Sequence, residues 1–156
     1  MKGKKVAIVG FGEYGWAHAL NLRDSGVDVV VSPVNPSLWD AVTALDFKVQ
    51  PLSIALADAD VVVVMPKADY HSVAEHIKEG TLIIRVLPRF NSYMCFFGEC
   101  VLLSTNSPGF AVRHASLINS GLPVHMSMGK AGEEKVRLAF AYARAIGAKE
   151  HTITLH

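Results

Sequence analysis

The clearest chemical signal in the sequence is a glycine-rich run near the amino terminus. Between an apolar segment typical of a strand and a segment typical of a helix lie Gly10, Phe11, Gly12, Glu13, Tyr14 and Gly15. In such a turn the first glycine permits a sharp bend, the second lets a diphosphate approach the main chain, and the third lets helix and strand pack closely. Because amides at a helix N-terminus attract anions, the run predicts a dinucleotide-binding loop, the alternative being a tight turn that binds nothing. The carboxylate of Glu13 would repel a phosphate, so we expect it to face solvent.

The segment after the second expected strand bears on the choice between NAD and NADP. An acidic residue about 20 positions after the loop binds the ribose 2′-hydroxyl in NAD sites. Ser32 occupies this place, and no carboxylate follows it as far as Ser37. The hydroxyls of Ser32 and Ser37 and the amide of Asn35 do not repel a 2′-phosphate. The sequence therefore favours NADP over NAD as the cofactor.

The last part of the expected cofactor site follows the fourth expected strand. It consists of Met65, Pro66 and Lys67. No Arg in residues 32–37 supplies the positive charge that usually pairs with a 2′-phosphate. Lys67 is a candidate for that charge, and the alternative is an ordinary solvated lysine. No residue is assigned a catalytic role at this stage.

Short β-branched runs alternate with helical patterns along the chain. The expected strands are 6–9, 27–31, 47–49, 61–65, 81–87, 100–104, 123–128 and 152–154. The expected helices are 14–25, 37–45 with Ser37 as N-cap, 52–57, 69–78 and 131–146, and residues 105–109 are expected to form a loop. The first, second, fourth and fifth strands are apolar throughout, which is typical of a parallel sheet covered by helices on both faces. The sequence thus predicts a doubly wound, mostly parallel, Rossmann-like α/β fold in a single domain, residues 1–156.

Composition excludes several classes of protein. Fifteen Lys and Arg against fourteen Asp and Glu give a net charge of +1, so no basic excess is available to neutralise nucleic acid phosphates. With 51% hydrophobic residues the chain is not intrinsically disordered. No apolar run approaches the roughly 18 residues of a membrane span. The chain also opens without the apolar stretch of a signal peptide, so we expect a cytoplasmic location and no membrane partner.

The residues that could bind a metal do not form a recognisable site. Cys95 and Cys100 are too few and too widely spaced for zinc, and we interpret them as free, buried thiols. His71 and His76 are five residues apart, which is not the spacing that places two ligands on one helix face. We therefore predict no metal site.

A longer stretch around the glycine run resembles a known family. Residues 2–29, and above all Ala17-His18-Ala19-Leu20-Asn21-Leu22-Arg23-Asp24-Ser25-Gly26, resemble the start of the N-terminal, NADP-binding Rossmann domain of ketol-acid reductoisomerase. Further similarities follow in order along the chain: residues 60–66, Phe90-Asn91, Ser107-Pro108-Gly109 with Val112-Arg113, and Ala139-Phe140-Ala141-Tyr142-Ala143 with Ile146-Gly147.

The resemblance implies a nicotinamide dinucleotide as cofactor but does not carry the whole activity with it. Enzymes of this family rearrange and reduce 2-acetolactate-type acids with NADPH and two magnesium ions, whose acidic ligands come from a helical domain that would begin where this sequence stops. The family's catalytic His aligns with Pro88 and Arg89, or with Leu87, and its loop Lys and the His that follows align with Asn106 and Phe110. Lys67 and Tyr70 also replace polar residues of the family's turn. We therefore expect a nucleotide-binding module or one half of a split enzyme.

Two other functions stay open at this stage. One is a small NADP-dependent oxidoreductase that acts as a dimer on a 2-oxo or 2-hydroxy acid, and the other is a non-catalytic interaction scaffold. Arg85, Arg89 and Arg113 are either anion-binding residues or plain surface, and His18 has a packing role. The apolar run Tyr93-Met94-Cys95-Phe96-Phe97 is either a core helix or an interface for a second copy or a partner protein.

Overall fold

The structure is a computed structural model that describes residues 1–90, 100–117 and 120–156. Its strands are β1 Lys5–Val9, β2 Asp28–Ser32, β3 Lys48–Val49, β4 Val61–Val64, β5 Leu82–Val86, β6 Val101–Ser104, β7 Val124–Ser127 and β8 Ile153–Leu155. Its α-helices are α1 Glu13–Asp24, α2 Trp39–Ala44, α3 Leu52–Ala57, α4 Tyr70–Ala74, α5 Gly109–Leu117 and α6 Glu133–Ala145. Two 3-10 turns, Pro36–Leu38 and Glu150–Thr152, complete these elements.

All eight strands form one sheet in the order β3-β2-β1-β4-β5-β6-β7-β8. Every pair of neighbours is parallel except β6 and β7, which run antiparallel. The chain leaves β1 in one direction to reach β2 and returns to its other side to form β4. Such a reversal opens a crevice at the carboxyl ends of β1 and β4, where doubly wound folds bind their ligands.

The apolar strands are buried on both faces, as their sequences predict. Val6 and Ile8 of β1 face a core that also contains residues of α1, α2, α5 and α6. Ala7 and Val9 face the opposite core, which contains residues of α3 and α4. A parallel strand covered on both faces has no solvated side and therefore needs no polar alternation. The predicted fold class, a doubly wound and mostly parallel single α/β domain, is confirmed.

Two of the expected helices differ clearly from those observed, and one observed helix was not expected. The helix expected at 37–45 begins with a 3-10 turn, and its N-cap is Asn35 rather than Ser37, since the Asn35 side chain accepts a hydrogen bond of 3.0 Å from the Ser37 N–H. The helix expected at 69–78 is shorter, with Asp69 as its N-cap. Helix α5 was not predicted: a loop was expected at 105–109, and no helix was expected after it.

A buried amide fixes α5 beside α1. The Asn21 side chain in α1 donates to the Val112 carbonyl at 3.3 Å and to the Ile146 carbonyl at 2.9 Å. Its oxygen accepts a bond of 2.9 Å from the Arg113 guanidinium, which also pairs with Asp24. Three segments of the family-like sequence thus meet at one side chain.

Several expectations concern residues outside the described ranges. The run Tyr93–Phe97, with Cys95, and Asn91 lie there. Cys100 is a free, buried thiol, as expected for it. Within the ranges that the structure covers, no helix is long and apolar enough to cross a membrane.

Candidate functional site

The glycine loop has the geometry that each of its three glycines was expected to provide. Gly10 has φ +94°, a left-handed conformation that favours glycine, and its N–H donates to the Ser32 carbonyl at 2.9 Å. A Cβ on Gly15 would lie 2.5 Å from the Gly10 carbonyl oxygen, so only glycine lets α1 approach β1 this closely. A Cβ on Gly12 would meet no atom within 4 Å. The space above Gly12 is therefore open to a ligand.

The first turn of α1 faces this open space. Gly12 is the N-cap of the helix, and no side chain caps the helix at this end. The first N–H groups of a helix have no partner within the helix, and the helix dipole places partial positive charge on them. These amides can therefore hold an anion above Gly12.

Glu13 and Phe11 each contact a neighbouring part of the fold. Glu13 is exposed, as predicted, and its carboxylate accepts a weak hydrogen bond of 3.4 Å from the Gly109 N–H at the start of α5. The Phe11 ring packs edge-on against Phe47, with centroids 6.4 Å apart. The Arg23 guanidinium covers Phe47 in turn. Both loop residues thus anchor the loop to the surrounding fold.

A cleft of about 200 Å³ separates the glycine loop from the turn that follows β4. Its lining residues are Gly12, Glu13, Tyr14, Gly15, Met65, Pro66, Lys67 and Pro88. Ala68 donates its N–H to the Met65 carbonyl at 3.1 Å, and Lys67 has φ +72°. With Pro66 before it, this is a type II turn that holds Lys67 in a conformation usually reserved for glycine. Lys67 is the one cation among the residues that line this cleft.

A second cavity, of about 300 Å³, lies at the carboxyl end of β2 and is called the β2 cavity below. It is lined by Val9, Ser32, Pro33, Val34, Pro36, Trp39, Pro51, Leu52, Asp69, Ser72 and Val73. Apolar walls with a few polar groups are typical of a site for an adenosine group. Of the residues expected here, Ser32 lines the cavity, whereas Asn35 and Ser37 are exposed on the adjoining turn and do not. Lys67 is likewise absent from its walls.

Of the eleven residues that line the β2 cavity, only Ser32 was predicted as a site residue, and four of the others matter most for its chemistry. Trp39 and Leu52 supply apolar surface, and Asp69 and Ser72 come from the start of α4. The order of the strands brings these residues beside Ser32 although they lie far from it in sequence. The one available signal was the position of Asp69 directly after the carboxyl end of β4.

The residues at the family's catalytic positions serve other purposes in this chain. Pro88 lines the cleft but has no proton to exchange, and Leu87 is buried. Asn106 has φ +52° and accepts hydrogen bonds from the Phe90 N–H at 2.7 Å and from the Ser104 hydroxyl at 3.1 Å. It therefore ties the ends of β5 and β6 together, while Phe110 is exposed on α5.

The titratable groups of the cleft are those of Glu13, Tyr14 and Lys67. Partial burial, followed by the nearby Glu13 charge, raises the pKa of the Tyr14 hydroxyl above its usual range. Tyr14 therefore stays protonated at neutral pH and can donate a hydrogen bond. Among the described residues, no three His, Cys, Asp or Glu side chains lie close enough together to hold a metal ion.

Two of the three arginines considered as anion ligands, Arg85 and Arg113, bind other side chains of the fold. Arg85 lies in an inner strand, where its guanidinium stacks 4.6 Å from the centroid of the Tyr70 ring. Arg113 binds Asn21 and Asp24, and Arg89 is exposed. The stacking on Tyr70 gives Arg85 the partner that a charge within a sheet requires.

His18 is a packing residue, as expected. It is fully buried, and its Nδ1 lies 2.7 Å from the Tyr142 hydroxyl on α6. Nε2 has no hydrogen-bond partner among the described residues. Burial lowers the pKa of His18 from 6.5 to about 4, so the ring is neutral at physiological pH. The pair joins α1 to α6 away from the cleft.

Comparison with known proteins agrees with this arrangement. The sequence model of the family described as "acetohydroxy acid isomeroreductase, NADPH-binding domain" matches residues 1–151. The chain is 34% identical to ketol-acid reductoisomerase (NADP(+)) from Campylobacter hominis, covering 95% of this chain and 47% of that protein. It is 32% identical to the enzyme of the same name from Pyrobaculum islandicum, and the match covers 95% of this chain and 48% of that protein.

A solved structure with a similar fold is an NADH-preferring ketol-acid reductoisomerase from an uncultured archean. The TM-score is 0.82 at 25% identity, covering 98% of this chain and 51% of that one. The chain therefore spans about half the length of the relatives it matches. The description of the family as NADPH-binding agrees with the cofactor predicted from the sequence. The chain belongs to the family of NADPH-binding domains of acetohydroxy acid isomeroreductases.

Proposed function

We propose that residues 1–156 act as one domain that binds a nicotinamide dinucleotide across the carboxyl ends of β2, β1 and β4. The diphosphate lies above Gly12 against the first turn of α1. The observation that carries this assignment is that an uncapped helix end, with open space above Gly12, lies at the carboxyl end of β1, where the strand order reverses between β2 and β4. The glycines on either side of it are required by the fold itself, whereas Gly12 is required only if something approaches it.

The remaining predicted residues divide between the two ends of the dinucleotide. The adenosine group occupies the β2 cavity, where Ser32 lies within the wall and Asn35 and Ser37 stand on the adjoining turn. The nicotinamide end occupies the cleft between Tyr14 and the Met65-Pro66-Lys67 turn. The Lys67 ammonium is placed to attract the diphosphate rather than the 2′-phosphate, since it lines the cleft and not the β2 cavity. When bound, the nicotinamide ring supplies or accepts a hydride.

We further propose that these residues do not complete a reductoisomerase reaction by themselves. Pro88 cannot transfer a proton, and loss of a positioned acid or base costs roughly 10²–10⁴-fold in rate. Glu13 is the one carboxylate that lines the cleft, whereas two magnesium ions need several carboxylate oxygens. The domain therefore works with groups supplied by a further polypeptide segment, a second copy or a partner protein, in the cytoplasm.

Nucleotide titrations test the binding function directly. Trp39 lines the β2 cavity and Trp16 follows the glycine loop, so both tryptophans of the chain report on the site. NADPH should change their fluorescence with saturation and give a matching calorimetric heat. The variant Gly12→Ala should keep the fold, because its Cβ meets no atom, and should bind at least tenfold more weakly. Absence of binding by the wild-type chain in both measurements would overturn the proposal.

An activity assay separates the remaining candidates. The chain alone is incubated with NADPH, Mg²⁺ and either 2-acetolactate or a panel of 2-oxo acids, and the nicotinamide absorbance is followed. Under the proposed function NADPH is not consumed. Consumption with a 2-oxo acid would instead establish the small oxidoreductase, and absent binding would favour the interaction scaffold.

A further inference from the structure

The β2 cavity has an unbalanced charge. Of the eleven residues that line it, Asp69 is the one with an ionisable side chain, and none is a Lys or Arg. Ser32 offers only a hydroxyl, and the exposed Val34 places an apolar side chain at the wall. The sequence-based preference for NADP rested on the lack of a carboxylate near the end of β2. The fold brings one there from the start of α4.

The Asp69 carboxylate is fixed in place and ionised. One of its oxygens accepts a bond of 2.7 Å from the Ser72 hydroxyl, and the other accepts a bond of 3.0 Å from the His71 N–H. The hydrogen bond from Ser72, followed by that from the His71 main chain, lowers the pKa of Asp69 below its usual range. As the N-cap of α4, the side chain cannot turn away from the cavity without giving up these bonds.

We propose that Asp69 is a specificity-determining residue that opposes the 2′-phosphate of NADP(H), so that this chain accepts NADH as well as NADPH. The inference rests on the proposed function, because it assumes that the adenosine ribose lies at the carboxyl end of β2. A 2′-phosphate in the β2 cavity meets one fixed negative charge and no positive charge among the lining residues. A free 2′-hydroxyl carries no charge and can donate a hydrogen bond to a carboxylate.

The variant Asp69→Asn tests the assignment while preserving the helix cap. Asn is as good an N-cap as Asp, and its amide still bonds the His71 N–H and the Ser72 hydroxyl. NADPH should bind roughly three- to tenfold more tightly to this variant, the size expected for removal of one like charge near a protein surface. NADH should bind with unchanged or slightly weaker affinity. Asp69→Ser, a second capping residue, should shift the NADPH affinity in the same direction.

Asp46→Asn is the matched control. Asp46 is exposed, does not line the cavity and has φ +63°, a conformation that Asn tolerates well. This variant has the same net charge as Asp69→Asn, yet should leave the ratio of the NADPH and NADH dissociation constants unchanged. The difference in NADPH affinity between Asp69→Asn and the wild type should also become smaller as the salt concentration rises from about 0.05 to 0.5 M, because salt screens charges at a partly exposed site.

The outcomes distinguish this inference from the function on which it rests. If the wild-type chain binds neither nucleotide, the proposed function fails and the inference fails with it. If both nucleotides bind but Asp69→Asn leaves their affinity ratio within twofold of wild type, the inference alone is overturned. An equal change in the affinities for NADPH and NADH would also overturn the inference alone, because Asp69 would then act on the adenosine group and not on its 2′ substituent.

Discussion

The two ends of the crevice use their polar groups in opposite ways. At the carboxyl ends of β1, β2 and β4, called the nucleotide end here, the first turn of α1 has no side-chain cap and Gly12 faces open space. At the carboxyl ends of β5 and β6, called the β5–β6 end, the polar groups bind one another. Asn106 binds the Phe90 main chain and Ser104. Among the described residues, the first amides of α1 at the nucleotide end have no side-chain cap, whereas Asn106 at the β5–β6 end binds groups of the fold itself.

This difference indicates which part of the family's site the chain retains. A dinucleotide site needs main-chain amides and small residues, and these survive as long as the backbone keeps its path. Proton transfer needs particular side chains, and the resemblance aligns the family's His with Pro88 and Arg89, or with Leu87, and its loop Lys with Asn106. The comparison therefore separates binding from chemistry within one domain, and mutations can test each end independently.

Gly15→Ala should have the largest effect on dinucleotide binding, because it damages both the fold and the binding site at the nucleotide end. The new Cβ would lie 2.5 Å from the Gly10 carbonyl oxygen, and backbone cannot yield as a flexible side chain can. We expect the free energy of unfolding to fall by about 2 kcal/mol, as for other overpacked sites. Displacing α1 also moves its N-terminal amides, so dinucleotide affinity should fall at least 100-fold. Urea denaturation and NADPH titration measure the two effects.

Gly12→Ala provides the matched comparison. It makes the same chemical change three residues earlier, where the Cβ is free, and should cost less than about 1 kcal/mol in stability while still weakening binding. Equal losses of stability in the two variants would contradict the distinction between a glycine needed by the fold and one needed by the ligand.

Asn21→Leu should loosen the packing of α5 and the end of α6 against α1. The substitution keeps the volume but leaves the buried Val112 and Ile146 carbonyls without their donor and removes one partner of Arg113. Each buried group left unpaired costs roughly 1–3 kcal/mol, so we expect a loss of about 3 kcal/mol in urea denaturation.

Ser25→Ala is the control for this experiment. It removes an exposed hydrogen bond of 2.7 Å to the Ala145 carbonyl, which also joins α1 to α6. The expected cost is below about 1 kcal/mol, because water replaces the lost partner. A loss as large as that of Asn21→Leu would show that burial of the amide does not matter.

Much of the fold could be predicted from the sequence, because the hydrophobic pattern determines it. The run Val61-Val62-Val63-Val64 has no polar face and so belongs in the middle of a parallel sheet, where it is found. Helix α3 begins and ends where it was expected, at Leu52 and Ala57. Helix α5 could not be recognised in the same way. Its first residue is Gly109 because a Cβ there would lie 2.4 Å from the Glu13 carbonyl oxygen, a contact that exists only once α1 and α5 have packed.

The candidate site was predictable only where neighbouring residues form it. The glycine loop is a continuous segment, so its geometry follows from local rules about turns and helix ends. The β2 cavity combines residues from three separate loops, and the contribution of Asp69 depends on the order in which β2, β1 and β4 pair. The spacing of residues along the sequence does not by itself determine the order in which the strands pair. The prediction of NADP from the sequence therefore did not include the Asp69 carboxylate, the one ionisable group among the residues that line the cavity.

Acidification should weaken the contact between α1 and α6 through His18. The pKa of this buried ring is lowered to about 4, whereas in the unfolded chain it is close to 6.5. Between these values the unfolded state binds more protons, so its stability rises relative to the native state as pH falls. The contribution is complete above about pH 6.5 and is lost progressively towards pH 4, by up to roughly 3 kcal/mol in all.

Urea denaturation at pH 7.5, 6 and 5 measures this dependence. His18→Gln should be less stable than wild type at pH 7.5 and should lose less stability between pH 7.5 and 5. His151→Gln, at an exposed site, should follow the wild-type curve. An unchanged slope in His18→Gln would show that other groups cause the acid sensitivity.

Asn106→Lys should have the smallest effect, and it restores the family's residue at the β5–β6 end. The Phe90 N–H loses the acceptor that lies 2.7 Å away, and a long side chain must adopt the positive φ of +52°. We expect a loss of about 1–2 kcal/mol in urea denaturation, from the lost hydrogen bond and the strained backbone together. Asn106→Asp keeps an acceptor and tolerates the same φ, so it should remain within about 0.5 kcal/mol of wild type. If Asn106→Lys were instead as stable as wild type, the Asn106 side chain would not hold the ends of β5 and β6 together. Pro88 would then be the one residue of this comparison that still distinguishes the β5–β6 end from the nucleotide end.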